Sequence, residues 1–304
     1  MNLGAFLSEY ASATGDLLAV DFVQQALIAA AVLGVLSGVM TPLIVLRQMS
    51  FSVHATSELA LMGAAAALLF GLNVGWGAIA GSIVAALMLA LLGMKQHQDA
   101  VIGVVMSFGM GLAVLFIHLY KGNSTRAFSL LTGQIVGVST ASTATLVIVT
   151  VCVVGLIVLL WRPLLFASAD PTMAHAAGVK LRVLAVIFAV LVGITAAQSV
   201  QIVGSLLVMA LLITPGASAV QVTASPVRAV VLSVVFAEVA AVGGLILSLA
   251  PGVPVSVFVT GISFLIYLIC RVINAITNRV AQVGQASAGE PHHAAAAAEQ
   301  GPLT

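Results

Sequence analysis

Charge is what this 304-residue chain has least of. Its 10 Lys and Arg and 9 Asp and Glu make up 6% of the residues, for a formal net charge of +1, while 62% are hydrophobic. A soluble domain carries about 25% charged residues, so a water-facing surface is excluded, and a basic nucleic-acid footprint goes with it. Cysteine is scarce too. Cys152 and Cys270 lie far apart within apolar runs, so neither a disulfide framework nor a thiolate metal site is suggested. Residues 1–21 contain no Lys or Arg and do not read as a cleaved signal peptide. Strand alternation of the outer-membrane kind is missing, and so is any G-x-x-x-x-G-K-[ST] loop for nucleotide phosphates. The chain is not expected to be an enzyme.

What is present is a succession of long apolar runs rich in Ala, Leu, Val and Gly: Phe22–Leu46, Ser52–Leu72, Gly75–Met94, Ala100–Tyr120, Thr143–Trp161, Val183–Ala197, Ile202–Val220, Arg228–Leu249 and Ser256–Val272. A spanning helix needs about 20 such residues. The chain therefore reads as all-α, a polytopic transmembrane helical bundle of eight to nine spans in the cell membrane, with a short cytoplasmic coupling helix. Eight of the ten basic residues (Arg47, Lys95, Arg162, Lys180, Arg182, Arg228, Arg271 and Arg279) fall on one side of this arrangement, with Lys121 and Arg126 dissenting. Positive charge accumulates on the cytoplasmic side. Residues 1–21 are then an extracytoplasmic segment, 22–273 the membrane domain, and 274–304 a flexible cytoplasmic tail too poor in large apolar side chains to fold alone. His292 and His293 in that tail offer weak metal binding at most.

The longest polar connection on the basic side, Arg162 to Arg182, contains ADPTMAHAAGVK. Asp170 suits an N-cap, Pro171 the first helical position and Gly178 the C-terminal cap. A helix of about two turns follows over Pro171–Ala177, with Ala174 at its centre. It reads equally as a docking element for another protein and as an amphipathic connector.

Ionisable groups inside the hydrocarbon region are costly unless they face a partner or a cavity. Only two acids fall inside spans, Glu58 and Glu238. His54 stands four residues before Glu58, and on a helix that puts both on one face with Cβ atoms about 6 Å apart. An imidazole and a carboxylate converging from adjacent turns can take two positions on a divalent ion such as zinc or manganese. The same residues also fit a first-turn acid favoured by the helix dipole and a polar side chain at the membrane edge. Glu238 fits a further ligand, a proton site, or a protonated interhelical hydrogen bond. In the segment Gln201 to Pro226, the small residues Gly204 and Ser205 permit close helix approach. Pro215 beside Thr214 and Ser218 frees carbonyls and hydroxyls that can line a path.

At this point a resemblance becomes specific. VGSLLVMALLITPGASA (Val203 to Ala219) resembles the hallmark stretch of the membrane subunits of ABC importers for zinc, manganese and iron ions. ADPTMAHAAGVK is similar to that family's cytoplasmic loop that docks on the ATPase. GGLILSLAPGVPVS (Gly243 to Ser256) resembles its stretch before the last helix, and RQMSFSVHATSELALMG (Arg47 to Gly63) its second-helix motif. Together these cover roughly residues 25 to 273. The family usually places Asp and then His at the positions of His54 and Glu58; here the order is exchanged, with the spacing kept. Ser107 stands where some members have a His.

The resemblance implies a permease subunit of an ATP-driven importer of divalent metal ions, zinc or manganese, with no permanently bound cofactor. It implies a homodimer, a separate cytoplasmic ABC ATPase coupled through Asp170, Pro171, Ala174 and Gly178, and an extracytoplasmic metal-binding protein. His54 and Glu58 would then line the ion path. The rival readings are a stand-alone secondary transporter with Glu238 as its coupling acid, which would show internal repeats that are not evident here, and an ABC permease for a metal chelate such as a siderophore.

Overall fold

The computed structural model describes residues 10, 12, 14–92, 98–123, 130, 138–251 and 253–298, the stretch 280–298 as backbone. Lys95, His97, Arg126, Glu299, most of residues 1–13 and the side chains of His292 and His293 lie outside the described residues. Twelve helices are named here: α1 (Asp21–Leu46), α2 (Ser50–Leu69), α3 (Val74–Leu92), α4 (Gln98–Leu119), α5 (Thr140–Leu159), α6 (Trp161–Ala169), α7 (Pro171–Ala176), α8 (Leu181–Val203), α9 (Ser205–Leu212), α10 (Thr214–Val222), α11 (Pro226–Leu249) and α12 (Val255–Ala298). No strand occurs among the described residues. Seven of these helices are long and apolar enough to cross a membrane, and the apolar stretches 74–89 and 207–222 are shorter.

The polar backbone must be satisfied inside each segment in a bilayer, so apolar helix is the default wherever the run is long. Three features differ from the sequence expectation, each for a physical reason. Gln198 to Gln201, taken as a loop, is helical, because Gln198 and Ser199 are buried and extend α8 by more than a turn. The turn comes instead at Gly204, whose φ of +79° suits a residue without a Cβ. The next run is two half-helices, broken at Ile213 just before Pro215, where φ and ψ leave the helical region (−130°, −51°). Finally, α12 continues past residue 274 to Ala298. Its last five residues, 294–298, are alanines, the strongest helix formers.

Glycine contacts set two helix pairs antiparallel. α2 and α3 meet along Gly63, Gly77 and Gly81: a Cβ on Gly63 would collide with the Gly77 carbonyl and come within 2.9 Å of the Gly81 Cα. Between membrane helices such small residues let backbones approach where no hydrophobic drive exists. α11 runs antiparallel along α1, with Glu238 opposite Gly34 and Val234 opposite Gly38. α1, α2 and α8 form the buried centre, and α4, α5 and α12 keep most of their side chains exposed. Leu33, Leu36, Met40, Leu61, Phe188 and Leu211 are fully buried in one apolar cluster.

α1 contains Pro42, which cannot donate to the Gly38 carbonyl. The Thr41 hydroxyl lies 2.7 Å from the Ser37 carbonyl and 3.4 Å from that of Gly38, and 2.8 Å from Ser233 Oγ on α11. α10 rests on α1 beside this proline: a Cβ on Gly216 would stand 2.5 Å from the Thr41 carbonyl carbon.

Gly63→Val is expected to destabilise the bundle by about 1–3 kcal/mol through overpacking. Gly111→Ala, on α4 with nothing within 4 Å of the added carbon, should not destabilise and gains up to about 1 kcal/mol of helix propensity. Thermal unfolding of the two purified variants in detergent makes the comparison.

Candidate functional site

His54 and Glu58 occupy the first half of α2, as the i, i+4 spacing requires. Glu58 is 4% exposed and His54 half-buried. Glu58 Oε2 and His54 Nδ1 are both buried without a hydrogen-bond partner, and the two side chains interact electrostatically. Buried polar atoms are seldom left unmet. Here an acid and a base share one helix face, each with an unmatched donor or acceptor. Their neighbours Ser57 and Thr56 are closed off, each donating its hydroxyl to the backbone carbonyl of His54 or Ser52 at 2.7 Å. α2 is surrounded by α3, α4, α8 and the half-helix α9, so the broken segment begun by Gly204 and Ser205 lies against the helix that carries the pair. Ser205 is buried at the start of α9, and Ser218 donates to the Thr214 carbonyl at 2.7 Å in α10.

The structure does not bring the other expected ligands to this pair. Among the described residues no three His, Cys, Asp or Glu side chains cluster. Glu238 is on α11, which packs on α1, α10 and α12. Its carboxyl group lies against Gly34, where a Cβ would be 2.7 Å from Oε1, and that oxygen is buried without a partner. It fills a notch between two helices rather than a place beside His54. Ser107 is exposed on α4 and donates to the Gly103 carbonyl of its own helix at 2.8 Å.

The second candidate element is built as its local chemistry foresees. Asp170 is extended and its carboxylate accepts from the Met173 amide at 2.9 Å, with Pro171 at the first position of α7. At the other end Gly178, at φ +85°, donates to the His175 carbonyl while Val179 donates to that of Ala174, both at 3.0 Å. That is the Schellman pattern, which needs the left-handed residue. The expected helix thus runs Pro171–Ala176. Ala174 is fully buried and seats α7 on the bundle, whereas Met173 is 61% exposed. An open hollow of about 600 Å³ beside it is lined by His175, Gly178, Lys180 and Arg182 among others. α6, which the sequence reading took as plain connection, is helical and buries Leu164.

Two residues with structural weight at these sites carried no sequence signal. Met173 reads as an ordinary helix residue until its exposure is known. From sequence, Arg47 reads only as a cytoplasmic charge and as the first residue of the second-helix motif, yet it is half-buried, and burial draws its guanidinium below the usual range.

A family model for the ABC 3 transport family matches residues 19–274. The chain belongs to that family. It is 33% identical over 258 residues to the manganese transport system membrane protein MntC of Listeria monocytogenes, covering 83% of this chain and 92% of that one. It is 34% identical over 200 residues to the manganese import system permease protein ScaB of Streptococcus parasanguinis, covering 65% and 71%. Among solved structures it is similar to PsaBC from Streptococcus pneumoniae in complex with Fab, with a TM-score of 0.78, 29% identity, and coverage of 86% of this chain and 94% of that one. Membership of the ABC 3 family makes it a multi-pass membrane permease of the metal-ion ABC importer type, the expectation that the motif resemblance carried.

Replacing Gly178 with Val forces a β-branched residue into the left-handed region at about 1–2 kcal/mol. Hydrogen exchange of the α7 amides is expected to quicken in Gly178→Val with the exchange of α1 and α2 unchanged.

Proposed function

We propose that this chain forms the translocation path of an ATP-driven importer of divalent metal ions, with manganese as cargo. The observation that carries the reading is the unmatched His54–Glu58 pair on a central helix. An acid left unpartnered in a span is costly, and a passing cation offsets that cost. The named activity of the relatives MntC and ScaB, matched over 92% and 71% of their lengths, supports manganese. Carboxylate suits manganese and imidazole suits zinc as well, so zinc is the competing cargo for the same donors.

One chain supplies one nitrogen and one carboxylate. A second copy in a homodimer supplies two more, and water completes the coordination of the ion. A sparse set of this kind holds an ion loosely enough to release it, as conduction requires. On the cytoplasmic side, α7 and the basic hollow beside it seat a separate ABC ATPase, with exposed Met173 as the apolar anchor. An extracytoplasmic metal-binding protein delivers the ion on the other side. ATP-driven movement of the ATPases displaces α7 and switches the bundle between outward and inward access. Glu238, wedged at Gly34, holds α11 to α1 and takes no part in the path.

His54→Ala and Glu58→Ala are each expected to lower manganese accumulation by cells at least about tenfold, a loss of roughly 1.4 kcal/mol or more, with membrane levels of the protein unchanged. Accumulation at the wild-type rate in both would remove the site. Met173→Glu should stop co-purification of the ATPase, and an undiminished yield of the complex would place the docking surface elsewhere. Glu238→Gln, which keeps the shape, should transport normally; a dead variant would return Glu238 to the path.

A further inference from the structure

Arg47 closes α1, and its guanidinium makes three contacts that no acid shares. Nε donates to Ser168 Oγ at 2.9 Å, Nη2 donates to the Leu164 carbonyl at 3.3 Å, and the group lies over the Phe188 ring of α8 at 4.6 Å from its centroid. Ser168 in turn donates to the Leu164 carbonyl at 2.6 Å, so the fork grips the last turn of α6. Two residues beyond Ser168 stands Asp170, the cap of α7.

On its other side, Arg47 leads at once into α2. Gln48 is left-handed at φ +54°, the one described residue other than glycine with a positive φ. The Gln48 and Met49 amides donate back to the Val45 and Ile44 carbonyls at 3.0 Å, and α2 begins at Ser50. A non-glycine residue in that region costs about 1–2 kcal/mol and persists where its surroundings fix it. The connection between the Arg47 anchor and the start of α2 is therefore short and stiff, and His54 and Glu58 are one and two turns further on.

We propose that Arg47 is a positioning residue that ties α2 to the α6–α7 element, so that displacement of α7 moves the helix bearing His54 and Glu58. The inference rests on the reading that α7 docks on an ATPase. An arginine suits the place because its planar fork meets two acceptors while its face stacks on an aromatic ring, a combination that lysine's point charge does not offer. The acceptors are neutral, so the grip is directional rather than an ion pair. Were Arg47 only an orientation charge, it would gain nothing from being half-buried.

The test uses the assembled importer, with this chain, its ATPase and its binding protein in proteoliposomes, supplied with Mn²⁺ and ATP. Arg47→Ala is expected to leave ATPase co-purification and the rate of ATP hydrolysis as in the wild type. Manganese taken up per ATP hydrolysed should fall at least about fivefold, the lower end of ordinary coupling between sites. Arg47→Lys should recover part of that ratio, and Ser168→Ala should lower it by less than Arg47→Ala does. An unchanged ratio in Arg47→Ala overturns the proposal, as does a parallel fall of hydrolysis and uptake, which is what a merely structural role produces. If Arg47→Ala does not reach the membrane, Ser168→Ala and Phe188→Leu are read by the same ratio, and wild-type values in both overturn it. Failure of the wild-type chain to co-purify with an ATPase is a distinct result, because it strikes the docking reading itself.

Discussion

A polar atom in hydrocarbon has no water to turn to, and this constraint arranges the rest of the molecule. Many hydroxyls along the spans are turned back onto carbonyls of their own helices, as at Ser37, Thr56, Thr195, Ser199 and Ser218, while those of Thr150 and Ser263 are buried without a partner. Each such bond removes a group that would otherwise demand a partner. With hydroxyls silenced in this way and glycines bringing the backbones together, the bundle coheres through packing. Among the ionisable side chains of the spans, those with an unmatched buried atom stand out. Glu58 and His54 share one helix face and leave two unmatched atoms there. Glu238, alone, is wedged against a glycine where a larger neighbour would not fit. Two acids of the same type, both inside spans, thus have different surroundings.

How much of this the sequence discloses depends on the range of the interaction that decides each feature. The capped helix α7 is legible because its determinants are local: Asp170, Pro171 and Gly178 act on backbone groups within a few residues. The spans are legible because apolar length alone forces helix in a bilayer. The turn near residue 200 is not. Gln198, Ser199 and Gln201 look like a polar loop, and only burial against neighbouring helices makes them helical and moves the turn to Gly204. Similarly, i, i+4 spacing places His54 and Glu58 together, but the separation of Glu238 from them is a tertiary fact fixed by the match of Gly34 to α11. The partners of Arg47 lie more than a hundred residues away, beyond any periodicity.

The exchanged order of acid and imidazole in the second-helix motif has a physical reading. Exchanging residues four apart keeps both groups on one face and moves each by about 6 Å along the axis. The donor inventory stays the same, while the carboxylate moves one turn away from the α1–α2 connection. Carboxylate buried and imidazole half-buried is the resulting order here. The acid therefore sits deeper than the base.

That ordering bears on how loose binding and strict coupling coexist. In the proposed importer an ion held by few donors leaves easily, so direction would be imposed by movement of the helix that carries them. α2 is well placed for that movement. Glycine contacts with α3 run along its far half, and its near end is attached through Gln48 to an arginine gripping α6. The far half provides a smooth packing surface for a small shift, and the near end provides a stiff attachment through which a shift can be imposed. The pair lies between the two, where a modest displacement of α2 changes what faces the carboxylate without any donor having to be rebuilt.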